Sequence, residues 1–148
     1  MKHPDRMRYI EAVGAGEPDV LRLATAPLPQ PKPDEVLIRV QAAGVNRPDV
    51  LQRQGVYPPP PGASPVLGLE VAGEVVAVGD AVTALQTGAR VCALTNGGGY
   101  AEYGIARDHK AMSEDGLPQE QWGGFRANKV IPPEIDPVRL QRALDEAF

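Results

Sequence analysis

Apolar and polar residues alternate along most of the first half of the chain, which is the period of a β-strand with one face buried. The clearest run is Glu35–Val45, EVLIRVQAAGV, where Val36, Ile38 and Val40 alternate with Leu37, Arg39 and Gln41. Two more strands are expected at Arg8–Val13 and Val20–Ala26, on either side of the turn cluster GAGEPD. Pro27, Pro29, Pro31 and Pro33 then recur at alternate positions. Such a segment stays extended and lacks donors for a sheet, so it reads as a connector. A long β-branched strand follows at Glu70–Gly79, EVAGEVVAVG, with Gly73 as the expected place for a bulge. RVCALT (Arg90–Thr95) and Tyr100–Ala106 complete the strands, the latter entered through NGGG. Between them VLQRQG, ending at Gly55, suits one or two helical turns.

The last third has a different character. From Arg107 to Lys129 the chain is polar, with no clear period and two isolated aromatics, Trp122 and Phe125. NKVIPPEI then reads as a strand and a proline turn. Asp136 followed by Pro137 is a good helix start, and a terminal helix is expected over residues 137–147. No internal repeat is visible.

Composition narrows the picture. The chain has 148 residues, 16 of them Gly and 16 Pro, which favours short strands and turns over a helical bundle. Its 15 basic and 19 acidic side chains give a formal charge of -4, against a nucleic-acid footprint. The single cysteine, Cys92, cannot close an internal disulfide. No secretory h-region and no apolar run near the roughly 20 residues of a membrane helix is seen. A cytoplasmic protein that binds neither membrane nor nucleic acid is the expectation.

Several blocks in fixed order carry a family resemblance. EVLIRVQAAGVNRPDVLQRQGVYP is followed by PVLGLEVAGEVVAVGDAV, then GARVCAL, then GGYAEY. Together they resemble the N-terminal catalytic domain of the medium-chain dehydrogenase/reductase superfamily, in its zinc-independent, zeta-crystallin-like quinone oxidoreductase branch. The resemblance spans about Met7 to Met112. It implies a mainly β fold with few helices, the GroES-like partly open β-barrel. Residues 1–112 are assigned to this domain. Residues 113–148 stay unassigned, either a return segment ending in a helix or an unrelated tail.

The resemblance also sets the candidate chemistry. Zinc-dependent relatives have a Cys where this chain has Asn46, and a His in a Gly-His-Glu motif where it has Gly68-Leu69-Glu70. Their cysteine-rich lobe is missing. Zinc is held by Cys, His and carboxylates, and Cys92, His3 and His109 stand in unrelated contexts, so no metal is expected. Without zinc, the site needs hydrogen-bond donors where negative charge develops on the acceptor oxygen. The resemblance implies that Asn46 and Tyr57 are those catalytic donors, beside the nicotinamide. Leu51 stands where some relatives have a second Tyr. On residue type alone, Asn46 is as readily a turn cap and Tyr57 a packing partner for the prolines. Asn46 and Arg47 are the candidate cofactor contacts, Arg47 by the geometry of guanidinium and phosphate or else as a solvated surface side chain. Asp49 suits helix-end hydrogen bonding, and Glu70 a structural carboxylate.

Neither GAGEPD nor NGGGYAEY has the strand–glycine turn–helix context that cradles a pyrophosphate. The Rossmann domain of full-length relatives is therefore absent from these residues. Two functions stay open. One is the substrate-side domain of an enzyme that moves hydride from NADPH to a quinone or an activated alkene or carbonyl. The other is a non-catalytic GroES-like module or inactive fragment. Oligomeric state is left open by the sequence.

Overall fold

The computed structural model describes residues 3–113 and the backbone of residues 129–131. The expected terminal helix at 137–147 lies outside the described residues. Two strands, β1 (Arg6–Ala12) and β2 (Leu21–Pro27), form an antiparallel pair with Ile10 opposite Leu23. A larger antiparallel sheet is built on β3 (Glu35–Val45) and β4 (Glu70–Val78). The helix α1 (Arg47–Arg53) lies between these two in sequence. Strands β5 (Arg90–Leu94), β6 (Tyr103–Arg107), β7 (Ala111–Ser113) and β8 (Lys129–Ile131) complete the order β6-β3-β4-β5-β7, with β8 also on β3. The sheets are partly open, the GroES-like arrangement that the sequence suggested.

The alternation in β3 buries both faces. Val36, Ile38 and Val40 enter the main core with Ile10, Leu67, Val71, Val75 and Tyr100. Leu37 packs on the other side with Val76 and Tyr103. Strand β3 is shared along its length: Glu35–Arg39 pair with β6, and Ala43–Val45 pair with β8. Residues from the polar last third thus reach the stretch of sheet that leads directly into Asn46.

The β3–β4 register shifts between Leu37 and Ile38, and again between Val40 and Ala42, opposite Gly73 and Ala72. A Cβ at Gly73 would collide with the Arg39 carbonyl oxygen and come within 2.9 Å of Ile38 Cγ2. Gly73→Ala therefore forces the two central strands apart. We expect it to cost about 1–3 kcal/mol, the range for overpacking a tight interior, read as a lower midpoint in urea. An unchanged midpoint would mean that this close approach is not maintained in solution.

Strand β1 also fastens the segment that enters β6. Ile10 N–H donates to Tyr100 O at 2.9 Å, and Glu102 N–H donates to Arg8 O at 3.0 Å. The Arg8 guanidinium and backbone N–H both reach the Glu102 carboxylate. Tyr100 is thus held from two sides before its side chain enters the core.

Candidate active site

The site is built where β3 ends and β4 begins. Antiparallel pairing places Ala43 opposite Val71, so the chain leaving β3 at Asn46 meets the chain entering β4 at Glu70. Asn46 has extended φ and ψ of -126° and 156° and caps α1. Pro48 fits the first turn, where its missing N–H costs nothing. Asp49 Oδ2 accepts the Asn46 backbone N–H at 2.9 Å, and Asp49 N–H donates to Asn46 O at 3.0 Å. The third residue of the helix thus satisfies the cap from inside the first turn.

The cap leaves the Asn46 amide nitrogen for another partner. Its Nδ2 donates to Glu70 Oε2 at 2.9 Å. An amide carries two N–H groups and a carbonyl oxygen: one N–H is committed to the carboxylate, the oxygen faces the Asp49 N–H in the capping box, and the second N–H remains. Asn46 is half-buried, neither sealed in the core nor loose on the surface.

Beneath it lies a buried acid. Asp49 is 0% exposed and Tyr100 is 2% exposed. Tyr100 Oη donates to Asp49 Oδ2 at 2.8 Å. Burial raises the Asp49 pKa above its ordinary value, and the Glu70 charge adds to that; hydrogen bonds from Asn46, Tyr100 and Gly68 work against it. Burial first, and then the Asp49 charge and hydrogen bond, push the Tyr100 phenol up, so it stays a donor.

The raised Asp49 value has a defined pH consequence. Between the ordinary carboxylate pKa and the folded one, the native state binds more protons than the unfolded state. Asp49's contribution to stability is therefore most favourable at low pH and declines as pH rises through its folded pKa. Asp49→Asn removes this titration. The stability of the parent relative to Asp49→Asn should improve as pH falls into the acid range, measured by denaturant unfolding at several pH values. A difference that does not change with pH would contradict it.

The other sequence candidates are placed separately. Arg47 opens α1 and is exposed. Tyr57 is 47% exposed in the loop after α1, with its backbone N–H on Leu51 O at 3.2 Å. That loop leaves the helix through Gly55, whose φ of +80° suits glycine and whose added Cβ would sit 2.7 Å from Ala15 Cβ. The Tyr57 hydroxyl has no hydrogen bond among the described residues, and it does not join the Asn46–Glu70 or Asp49–Tyr100 pairs. A cleft of about 810 Å³, bordered by Lys32, Ser64, Asn96 and Lys110, includes neither Asn46 nor Tyr57. Among the described residues, no group of three His, Cys, Asp or Glu side chains could hold a metal.

Tyr100 is the site residue that sequence reasoning missed, because its partner lies 51 positions away. Gly68 makes the approach possible. Its φ is +99°, and a Cβ there would stand 2.7 Å from Tyr100 N and 2.8 Å from Gly99.

This architecture and site define a class. The chain belongs to the alcohol dehydrogenase GroES-like domain family, whose model matches residues 32–135. It is similar to the quinone oxidoreductase of Lama guanicoe, 45% identical over 105 residues, which is 70% of this chain and 32% of that one. A solved quinone oxidoreductase from Pseudomonas syringae pv. Tomato DC3000 superposes with TM-score 0.69 at 32% identity, covering 82% of this chain and 38% of that one. Mycobacterial Rv1454c, solved in complex with NADPH, gives TM-score 0.64 at 34% identity, covering 82% and 34%. The chain spans about a third of the length of the curated quinone oxidoreductases it matches.

Proposed function

We propose that this chain is the substrate-side domain of a zinc-independent quinone oxidoreductase, in which hydride from NADPH reaches a quinone or an activated alkene or carbonyl. The observation that carries this reading is the Asn46 amide, half-buried and oriented by Glu70, with one N–H still to give. That N–H and the Tyr57 hydroxyl donate to the acceptor oxygen as negative charge develops on it. Zinc independence is supported by Asn46 and Leu69 at the positions of two zinc ligands in metal-dependent relatives, and by the donor set around them. NADPH as cofactor is supported by the likeness to Rv1454c.

The described residues do not make a dinucleotide cradle of their own. The Gly98 and Gly99 N–H groups are committed to Val66 O and Gly68 O, at 2.7 and 3.0 Å. Helix α1 follows no glycine turn, and begins Asn46-Arg47-Pro48. Asn46 and Arg47 offer contacts at the edge of such a cofactor, not its pyrophosphate seat. The pairing of β8 with β3 supports residues 113–148 as a return segment of the same domain.

Fusing the chain to the nucleotide-binding domain of a quinone oxidoreductase relative tests the reading. The chimera should oxidise NADPH with a quinone acceptor and keep its rate after treatment with a zinc chelator. Loss of turnover on chelation would count against zinc independence. A folded chimera that binds NADPH and reduces no acceptor would favour the non-catalytic module.

A further inference from the structure

Asn46 stands in a closed ring of hydrogen bonds. Its Nδ2 donates to Glu70 Oε2 at 2.9 Å, and its backbone N–H donates to Asp49 Oδ2 at 2.9 Å. The same Asp49 oxygen accepts the Tyr100 hydroxyl at 2.8 Å. Tyr100 N–H in turn donates to Leu67 O at 2.9 Å, in the loop that runs into Glu70. That loop holds both ends of the ring, and its Gly68 N–H donates to the Asp49 carboxylate between them. The Tyr100 hydroxyl also lies 3.5 Å from Gly44 O, near the end of β3. It therefore meets the chain on both sides of Asn46, at Gly44 and at Asp49.

A half-buried amide keeps one orientation only if its anchors stay still. Two of the Asn46 anchors sit on Asp49, whose N–H faces the Asn46 side-chain oxygen and whose Oδ2 takes the backbone N–H. The groups that act on the Asp49 carboxylate are the Asn46 backbone N–H, the Tyr100 hydroxyl, the Gly68 N–H and the Glu70 charge. Tyr100 is the side-chain donor among them, and hydrogen bonds to a carboxylate are the strong kind. Its ring is 2% exposed and packed in the main core, so the hydroxyl is itself held in place. We infer that Tyr100 is a positioning residue for Asn46: its hydroxyl fixes the Asp49 carboxylate, and the carboxylate fixes the residue that carries the amide. The core thereby sets the direction of the Asn46 N–H that is left to donate.

The importance of Asn46 to a reaction rests on the proposed function, but the link from Tyr100 to Asn46 is tested on this chain without any turnover. NMR follows the Asn46 backbone and side-chain amide signals and the Asp49 carboxyl against pH, in the parent, in Tyr100→Phe and in Asp49→Asn. In the parent the Asn46 backbone amide should titrate with the Asp49 carboxyl. Tyr100→Phe removes a donor that favours the charged form, so this shared midpoint should move upward. The Asn46 side-chain signals should also shift, at a pH where Asp49 is charged in both proteins. Asp49→Asn should remove the shared titration from Asn46. In the chimera with a nucleotide-binding domain, Tyr100→Phe should lower kcat about three- to tenfold with KM for the quinone unchanged, short of the roughly hundredfold cost of a misplacement near 1 Å. Asn46 side-chain signals unchanged in folded Tyr100→Phe would make Tyr100 a packing residue and overturn the inference. So would an unchanged kcat in a chimera that turns over. Shifted signals with a parent chimera that does not turn over would count against the proposed function alone. Should Tyr100→Phe fail to fold, the parent decides: Tyr100 and Asn46 signals should share the Asp49 midpoint, and a Tyr100 signal without that step breaks the link.

Discussion

Asp49→Ala should lower the unfolding free energy of this chain by about 2–5 kcal/mol, since one buried and one half-buried donor lose their acceptor and each orphan costs about 1–3 kcal/mol. The donors are the Asn46 backbone N–H at 2.9 Å and the Tyr100 hydroxyl at 2.8 Å. Removing a carboxylate that burial disfavours returns part of that cost, which keeps the expected value below a simple sum. Two companion variants apportion it. Tyr100→Phe removes one donor together with its need for an acceptor, so it should cost less than Asp49→Ala. Asp49→Asn keeps one acceptor oxygen, and should fall between the parent and Asp49→Ala at neutral pH. Urea unfolding of the four proteins gives the order directly. A loss below about 1 kcal/mol for Asp49→Ala, a size typical of one ordinary hydrogen bond, would mean that the cap and the phenol find acceptors elsewhere.

The strands were legible where their periodicity is long. EVLIRVQAAGV became β3 with the expected bounds, and EVAGEVVAVG became β4 with its irregularity beside Gly73. The helix was expected over VLQRQG and begins three residues earlier, at Arg47, where Asn-Arg-Pro-Asp combines a cap, a proline in the first turn and an acid at the third position. Strand β7 spans three residues, too few for any alternation to register, whereas β8 falls on the strand expected in NKVIPPEI. Local sequence also could not show that α1 turns its charges inward. VLQRQG suits one or two helical turns without showing which way they face, and Arg53 is among the most buried residues described. What decides this is the arrival of Tyr100 and the turn before β2, through pairings that close only in three dimensions: Ile10 N–H on Tyr100 O, and Gly16 N–H on Arg53 O. Asn46 was legible as a candidate, but its commitment to Glu70 was not, because that contact depends on the β3–β4 register.

That commitment sharpens what Asn46→Ala should do. In the chimera with a nucleotide-binding domain, loss of the amide should lower kcat about ten- to a thousand-fold, the upper end matching the loss of an oxyanion donor. The same substitution leaves Glu70 without the Nδ2 donor that it now has at 2.9 Å. Two effects are therefore mixed, and Asn46→Asp separates them. It keeps the shape but sets a carboxyl group against Glu70, so it should be at least as damaging to turnover as Ala. Tyr57→Phe removes only a hydroxyl that has no hydrogen-bond partner among the described residues. Its effect on kcat should be smaller, because a side chain 47% exposed sits where water can deliver the proton instead. Stability read on the same proteins distinguishes a structural role. The backbone N–H of residue 46 still reaches Asp49 in Asn46→Ala, so that half of the capping box survives and the loss should stay about 1 kcal/mol. A folded Asn46→Ala chimera with unchanged kcat would leave Asn46 as a helix cap and move the donor role to another residue.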